Sequence, residues 1–144
     1  MDDGATMSEF RLETIGPSGD CAVLQVVGEV DVYTAPALRE RIRDLAAKGA
    51  VHVIADMSRV DFLDSTGLGV LIGGLRRLRE HDGSLTPVIT TARILRLFQL
   101  TGLTRVFPSQ PSVLAAITAD PHWRQTVESE AGSAEEWCRR HGLS

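Results

Sequence analysis

The residues best able to do chemistry stand together in one stretch, 61–75, DFLDSTGLGVLIGGL. There Asp61 and Asp64 flank a short apolar step, the hydroxyls of Ser65 and Thr66 follow, and a glycine-laced apolar run begins. Ser65 stands where a helix N-cap would be, its hydroxyl placed to accept from the amide of Gly67 or Leu68. Capping alone is the commoner role of a serine in that position. A second role is that of phosphoacceptor. A phosphate there adds about 1.5 to 2 negative charges beside the open amides and the positive dipole end of a helix, so the fold should survive the modification. The same charge beside Asp64 and Asp61 would repel an acidic or closely packed partner, switching binding without unfolding.

The helix behind Ser65 carries Leu68, Leu71, Ile72, Leu75 and Leu78 at i, i+3, i+4, i+7 and i+10, a stripe that faces a core. Gly69, Val70, Gly73 and Gly74, with Arg76 and Arg77, fall on the remaining surface, which is flat over the first two turns. Each interior glycine costs roughly 0.8 to 1 kcal/mol of helix stability relative to alanine. Tight packing on a sheet accounts for one or two of them; a surface that a partner's backbone approaches closely accounts for more. The candidate partner-binding residues are therefore Asp64, Ser65, Thr66, Gly67, Gly69, Val70 and Gly73.

Signatures of catalysis are weak. The segment GLGVLIGG lacks the Lys and Ser/Thr of a phosphate-binding loop. A nucleophilic Ser65 needs a positioned base, and none of the four histidines carries a local cue for that role. His52 reads as a satisfied histidine within a sheet. Cys138, His141 and His122 are too few and scattered to argue for zinc. The expectation is a non-enzymatic protein with no catalytic residues, no metal and no cofactor.

The elements that must position this stretch follow from periodicity. Residues 10–15 alternate as a half-buried strand, 16–20 supply a Gly-Pro turn, and 21–30 form a second strand paired with the first. Leu38, Ile42 and Leu45 mark a helix that starts near Thr34 and ends at Gly49. VHVIADM, 51–57, is a near-continuous apolar run, the pattern of a central strand covered on both faces. A helix over 65–83 follows, then a strand over 85–91 that Pro87 places near an edge or bulge. The pattern next predicts a helix over 92–102, a short strand over 105–108 and a helix over 111–120 with Pro111 in its first turn. Strands alternating with helices after one hairpin imply an α/β domain built on a mixed sheet covered by about four helices. Beyond residue 119 a polar segment with two tryptophans reads as an extension, of no set order, appended to a finished core.

At 144 residues the chain fits one domain. Aromatics at 5% leave a core of Val, Leu, Ile and Ala. A formal charge of -4 gives no reason for binding to nucleic acid or anionic lipid. The acidic opening MDDGATMSEF lacks the regions of a secretion signal, and no apolar run spans a bilayer, so a cytoplasmic location is expected, with Cys21 and Cys138 as free thiols.

Three segments in order, GEVDVYTAPALRERI (28–42), VIADMSRVDFLDSTGLGVLIGGLRRL (53–78) and LRLFQLTGLTRVF (95–107), resemble the STAS-domain anti-sigma factor antagonists of bacteria. The resemblance spans residues 9–118, with 119–144 as the extension that typical members lack. It implies a partner switch. Unmodified, such a protein binds an anti-sigma factor with serine kinase activity and so frees a sigma factor; the kinase phosphorylates it and ends the association, and a phosphatase resets it. The modified hydroxyl of the family maps onto Ser65, with Thr66 beside it. Asp31 matches the acidic residue of the family's G-E-[LV]-D turn, near the phosphorylation site and the kinase contact. The rival reading is a STAS accessory subunit of a membrane transporter or lipid-transfer system, docked on its ATPase.

Overall fold

The computed structural model describes residues 9–143. The acidic stretch read for its lack of a secretion signal falls, for its first eight residues, outside them. The described residues form four strands and six α-helices: β1 (Arg11–Ser18), β2 (Cys21–Val30), α1 (Ala35–Ala47), β3 (His52–Leu63), α2 (Ser65–Arg79), β4 (Ser84–Val88), α3 (Ala92–Leu100), α4 (Val113–Ala119), α5 (Pro121–Ala131) and α6 (Ala134–Arg140).

The sheet order is β1-β2-β3-β4. The opening hairpin pairs β1 and β2 antiparallel, while β2–β3 and β3–β4 are parallel, joined through α1 and α2. This is the mixed α/β sheet that the alternation of patterns implied, and β4, with Pro87, is one of its two edge strands. β3 runs longer than its apolar core of 51–57 suggests, because pairing with β2 continues past two register shifts to Leu63. That extra length carries the chain to the junction with α2.

Successive side chains of β2 point to opposite faces. Ala22, Leu24 and Val26 face a core shared with α1, α2 and Phe98 of α3; Cys21 and Val23 face a second core. The second core is supplied by Val113 and Ile117 of α4, Trp123 and Val127 of α5, and Trp137 and Cys138 of α6. The segment beyond 119 is therefore part of the packed fold: it supplies much of the second core and covers that face of the sheet. Its tryptophans meet edge to face at 5.8 Å, and Trp137 Nε1 donates to Ser18 Oγ at 3.1 Å. Asp120 and Ser133 cap α5 and α6 through their side chains.

Three local expectations are corrected. Residues 105–108 make no strand. A single 3₁₀ turn at Leu103–Arg105 precedes them, and pairing with β4 is limited to a bridge between Val88 and Gln110. Phe107 is buried against Phe98 while Val106 is exposed, which imitates strand alternation without a ladder. Pro111 lies outside α4, whose cap is Ser112, accepting from the amide of Ala115 at 3.0 Å. Helix α2 stops at Arg79, and the turn that follows needs Gly83, since a Cβ there would lie 2.0 Å from the carbonyl oxygen of Val51.

Both cysteines are buried free thiols. Burial, reinforced by Asp20, pushes the Cys21 thiol up to about 12, and burial likewise raises that of Cys138. His52 is held by Ser84 Oγ at 3.0 Å from its Nδ1. Burial, then the neighbouring His122, lowers its ionisation below the ordinary imidazole value.

Candidate functional site

The site is the junction where β3 ends and α2 begins. Asp64 adopts extended backbone geometry and its side chain accepts from the amide of Gly67 at 3.0 Å, so Asp64, not Ser65, is the N-cap of α2. The aspartate reaches the amide three residues on, as a serine there would, and adds a charge that the helix dipole favours. Ser65 is displaced to the first helical position, where it is exposed. Its hydroxyl is thus released from capping, on a residue exposed to solvent. Thr66 is half-buried beside it.

Asp31 is brought next to this junction. The amide of Asp64 donates to the carbonyl of Val30 at 3.2 Å, so the loop after β2 and the start of α2 are bound back to back. The Asp31 carboxylate is also structural: its Oδ1 accepts from the amides of Tyr33 at 2.9 Å and Thr34 at 3.1 Å. The Thr34 hydroxyl accepts from the Asp31 amide at 2.9 Å and lies 2.8 Å from the Glu29 carbonyl, to which it donates. This closed turn explains why Thr34 lacks a side-chain capping bond to α1: its oxygen is used in the loop.

The glycines of α2 divide into two kinds. A Cβ on Gly67 would meet Leu63 Cδ1 at 2.5 Å and Val30 Cγ1 at 2.8 Å, and one on Gly74 would meet Ile42 Cδ1 at 2.9 Å. Both are buried packing positions, so Gly67 leaves the docking surface, as does Gly74. Val70, also assigned to that surface, is only 4% exposed. The reason is that α2 is gripped by α1 as well as by the sheet, which widens its buried arc beyond the leucine stripe to include 67, 70 and 74. Gly69 and Gly73 are different: both are exposed, and an added Cβ would meet nothing within 4 Å. They lie along a cleft between α1 and α2, whose floor includes Ile42 and Val70 and whose walls carry Arg39, Arg43 and Arg77.

Sequence reasoning overlooked the apolar residues around the junction. Tyr33 is 87% exposed and Val32 57%, both in the Asp31 loop. Phe62, two residues before the cap, shares a groove with Arg93, Arg96, Leu97 and Leu100. Leu100 falls off the Ile94–Phe98 stripe of α3, and Tyr33 stands in a polar turn; those were the available signals. The surface around Ser65 thus combines acidic residues at the helix start, exposed apolar side chains on the Asp31 loop and at the end of β3, and an arginine-lined cleft along the next two turns.

The base that a nucleophilic Ser65 would need is not supplied by a histidine among the described residues of the junction. Of the residues weighed for zinc, His141 Nδ1 lies 2.7 Å from the Trp137 carbonyl and His122 Nε2 lies 2.7 Å from Asp20 Oδ1. No helix among the described residues is long and apolar enough to cross a membrane.

The STAS domain model matches residues 14–116. The anti-sigma-B factor antagonist of Bacillus subtilis (strain 168) is 42% identical over 80 residues, covering 56% of this chain and 72% of its own length. Among solved structures, an anti-sigma factor antagonist from Mycobacterium paratuberculosis superposes with a TM-score of 0.70 at 32% identity, over 77% of this chain and 93% of its own. The Bacillus cell fate determinant SpoIIAA has been solved in phosphorylated form; it superposes with a TM-score of 0.54 at 26% identity, over 67% and 86% of the two chains. Sheet order, the strand-to-helix junction and these matches agree, and the chain belongs to the STAS domain family.

Proposed function

We propose that this protein is an anti-sigma factor antagonist controlled by phosphorylation of Ser65. Unphosphorylated, it binds an anti-sigma factor that is also a serine kinase and so releases a sigma factor to promote transcription; phosphorylation ends the association, and a phosphatase restores it. The protein is itself a regulatory binding partner with no catalysis, and it works in the cytoplasm.

The observation that carries this reading is the exposure of Ser65 at the first position of α2, with capping taken over by Asp64. A modifying enzyme can reach the hydroxyl, and the helix keeps its cap after modification. The relatives' names supply the partner class: they are anti-sigma factor antagonists. The charge pattern supports the direction of the switch. A partner that places carboxylates against Arg39, Arg43 and Arg77 and apolar side chains against Tyr33 and Phe62 would meet a new dianion beside Asp64. Close charges of like sign at a packed contact are strongly unfavourable. Asp31 contributes mainly by fixing the loop that presents Val32 and Tyr33.

The experiment pairs the purified protein with candidate anti-sigma kinases and ATP, maps the modified residue by mass spectrometry, and measures complex formation. Phosphate on Ser65, constitutive binding by Ser65→Ala and binding weakened at least about tenfold in Ser65→Asp, about 1.4 kcal/mol, are expected. Equal binding by the two variants, or modification elsewhere with Ser65 untouched, overturns the reading.

A further inference from the structure

At the opposite end of the sheet from Ser65, three segments far apart in the chain bring one side chain each to a common point. Asp20 stands in the turn between β1 and β2, His52 opens β3, and His122 lies in the first turn of α5. With His52 and Ser65 at the two ends of β3, the cluster lies on the order of 30 Å from the phosphorylation site. One ligand atom from each of the three residues lies within 4.8 Å of the others. His122 Nε2 is 2.7 Å from Asp20 Oδ1 and His52 Nε2 is 3.9 Å from Asp20 Oδ2. The two imidazoles lie against each other, ring centroids 4.1 Å apart.

We propose that Asp20, His52 and His122 form a binding site for a divalent transition-metal ion of the zinc class, one that clips the C-terminal helices onto the sheet. Two imidazole nitrogens and a carboxylate are a ligand set of three-ligand zinc sites, in which water completes the tetrahedron. Mixed nitrogen and oxygen donors suit zinc, cobalt or nickel better than calcium or magnesium. Bonds of about 2.0 to 2.2 Å set tetrahedral ligand atoms about 3.4 Å apart, between the shortest and the widest separations in the cluster, so side-chain adjustment alone brings them into range.

The surroundings of His52 strengthen the assignment. Its Nδ1 lies 3.0 Å from Ser84 Oγ, which fixes the ring and leaves Nε2 directed at the cluster. Metal-bound histidines carry such an outer partner on the other ring nitrogen. The neighbouring Cys21 thiol is fully buried and donates to Asp20 Oδ1 at 3.6 Å. An ion bound here would tie residues 20, 52 and 122 together across both sheet and extension, so occupancy stabilises the closure of the second core. It would do so without touching Ser65 or the arginine cleft.

Zn²⁺ and Co²⁺ added to the metal-stripped full chain test the site. Expected are a rise in Tm with Zn²⁺ that a chelator reverses, a Co²⁺ visible absorption spectrum of tetrahedral type, and one ion per chain. His122 is exposed, so His122→Ala should fold; it and Asp20→Asn should each weaken Zn²⁺ binding at least about tenfold and abolish the Co²⁺ spectrum. Ser84→Ala should weaken affinity roughly 10- to 100-fold while leaving one ion per chain. Two results overturn the proposal: no Tm rise and no Co²⁺ spectrum in the wild type, which leaves the cluster as hydrogen bonds only, or metal binding unchanged in His122→Ala, which places the ion elsewhere.

Discussion

Replacing the four glycines of α2 by alanine, one at a time, should separate packing from docking. In an open helix position glycine-to-alanine gains about 0.8 to 1 kcal/mol. A Cβ at Gly69 or Gly73 meets nothing within 4 Å, so each variant should gain close to that amount, and the double variant about 2 kcal/mol. At about 4 °C per kcal/mol for a chain of this size, the double variant should melt about 8 °C higher. At Gly67 the sign reverses. The new Cβ would sit 2.5 Å from Leu63 Cδ1, 2.8 Å from the branched Val30 Cγ1 and 3.2 Å from the Val30 carbonyl oxygen, and the backbone atom cannot turn aside as a side-chain end can. Overpacking of that kind costs about 1 to 3 kcal/mol, which offsets the propensity gain and leaves a net loss. Gly74 is intermediate, since its contact at 2.9 Å is with the flexible end of Ile42. Urea unfolding followed by circular dichroism gives the four stabilities, and titration with the anti-sigma partner gives the affinities. The more stable Gly69→Ala and Gly73→Ala proteins should bind at least about tenfold more weakly, because the methyls fill the open side of the cleft. A destabilised Gly69→Ala or a stabilised Gly67→Ala would refute the packing argument. Stabilised variants that bind normally would refute the docking role of this face.

Three further outcomes are expected. Asp64→Ala should lose about 1 kcal/mol in urea unfolding while Ser65→Ala stays within a few tenths, since the cap belongs to Asp64; the reverse order would contradict that. Trp137→Ala should cost about 3 to 5 kcal/mol by the same measurement, because the ring is fully buried between the sheet and Trp123; a loss below about 1 kcal/mol would show that the extension contributes little to the fold. Both thiols should resist iodoacetamide in the native protein at pH 8 and react fully in urea, because burial removes access and suppresses the thiolate; native labelling at the unfolded rate would disprove it.

Much of the fold was legible because its signals are local. The alternation in 10–15, the apolar run of 51–57 and the leucine stripe of α2 each reflect a period that neighbouring residues set by themselves. The position of Ser65, between a strand and an apolar helix, was legible for the same reason. Element ends were less so: the 105–108 segment alternates like a strand, yet only Gln110 reaches β4.

What the tertiary structure alone decided concerns what stands opposite each residue. Gly67, Gly69, Gly73 and Gly74 are one residue type in one helix, but α1 and the end of β2 cover two and leave two open. Asp64 and Ser65 can each cap a helix; the extended backbone that β3 imposes on Asp64 selected between them. The polar C-terminal segment has no sustained period because only a few of its residues, Trp123, Val127 and Trp137 among them, meet the sheet. Asp20, His52 and His122 come together only when the hairpin, the central strand and that segment are all in place. A sequence specifies its periods directly, whereas contacts between distant residues exist only once the chain has closed upon itself.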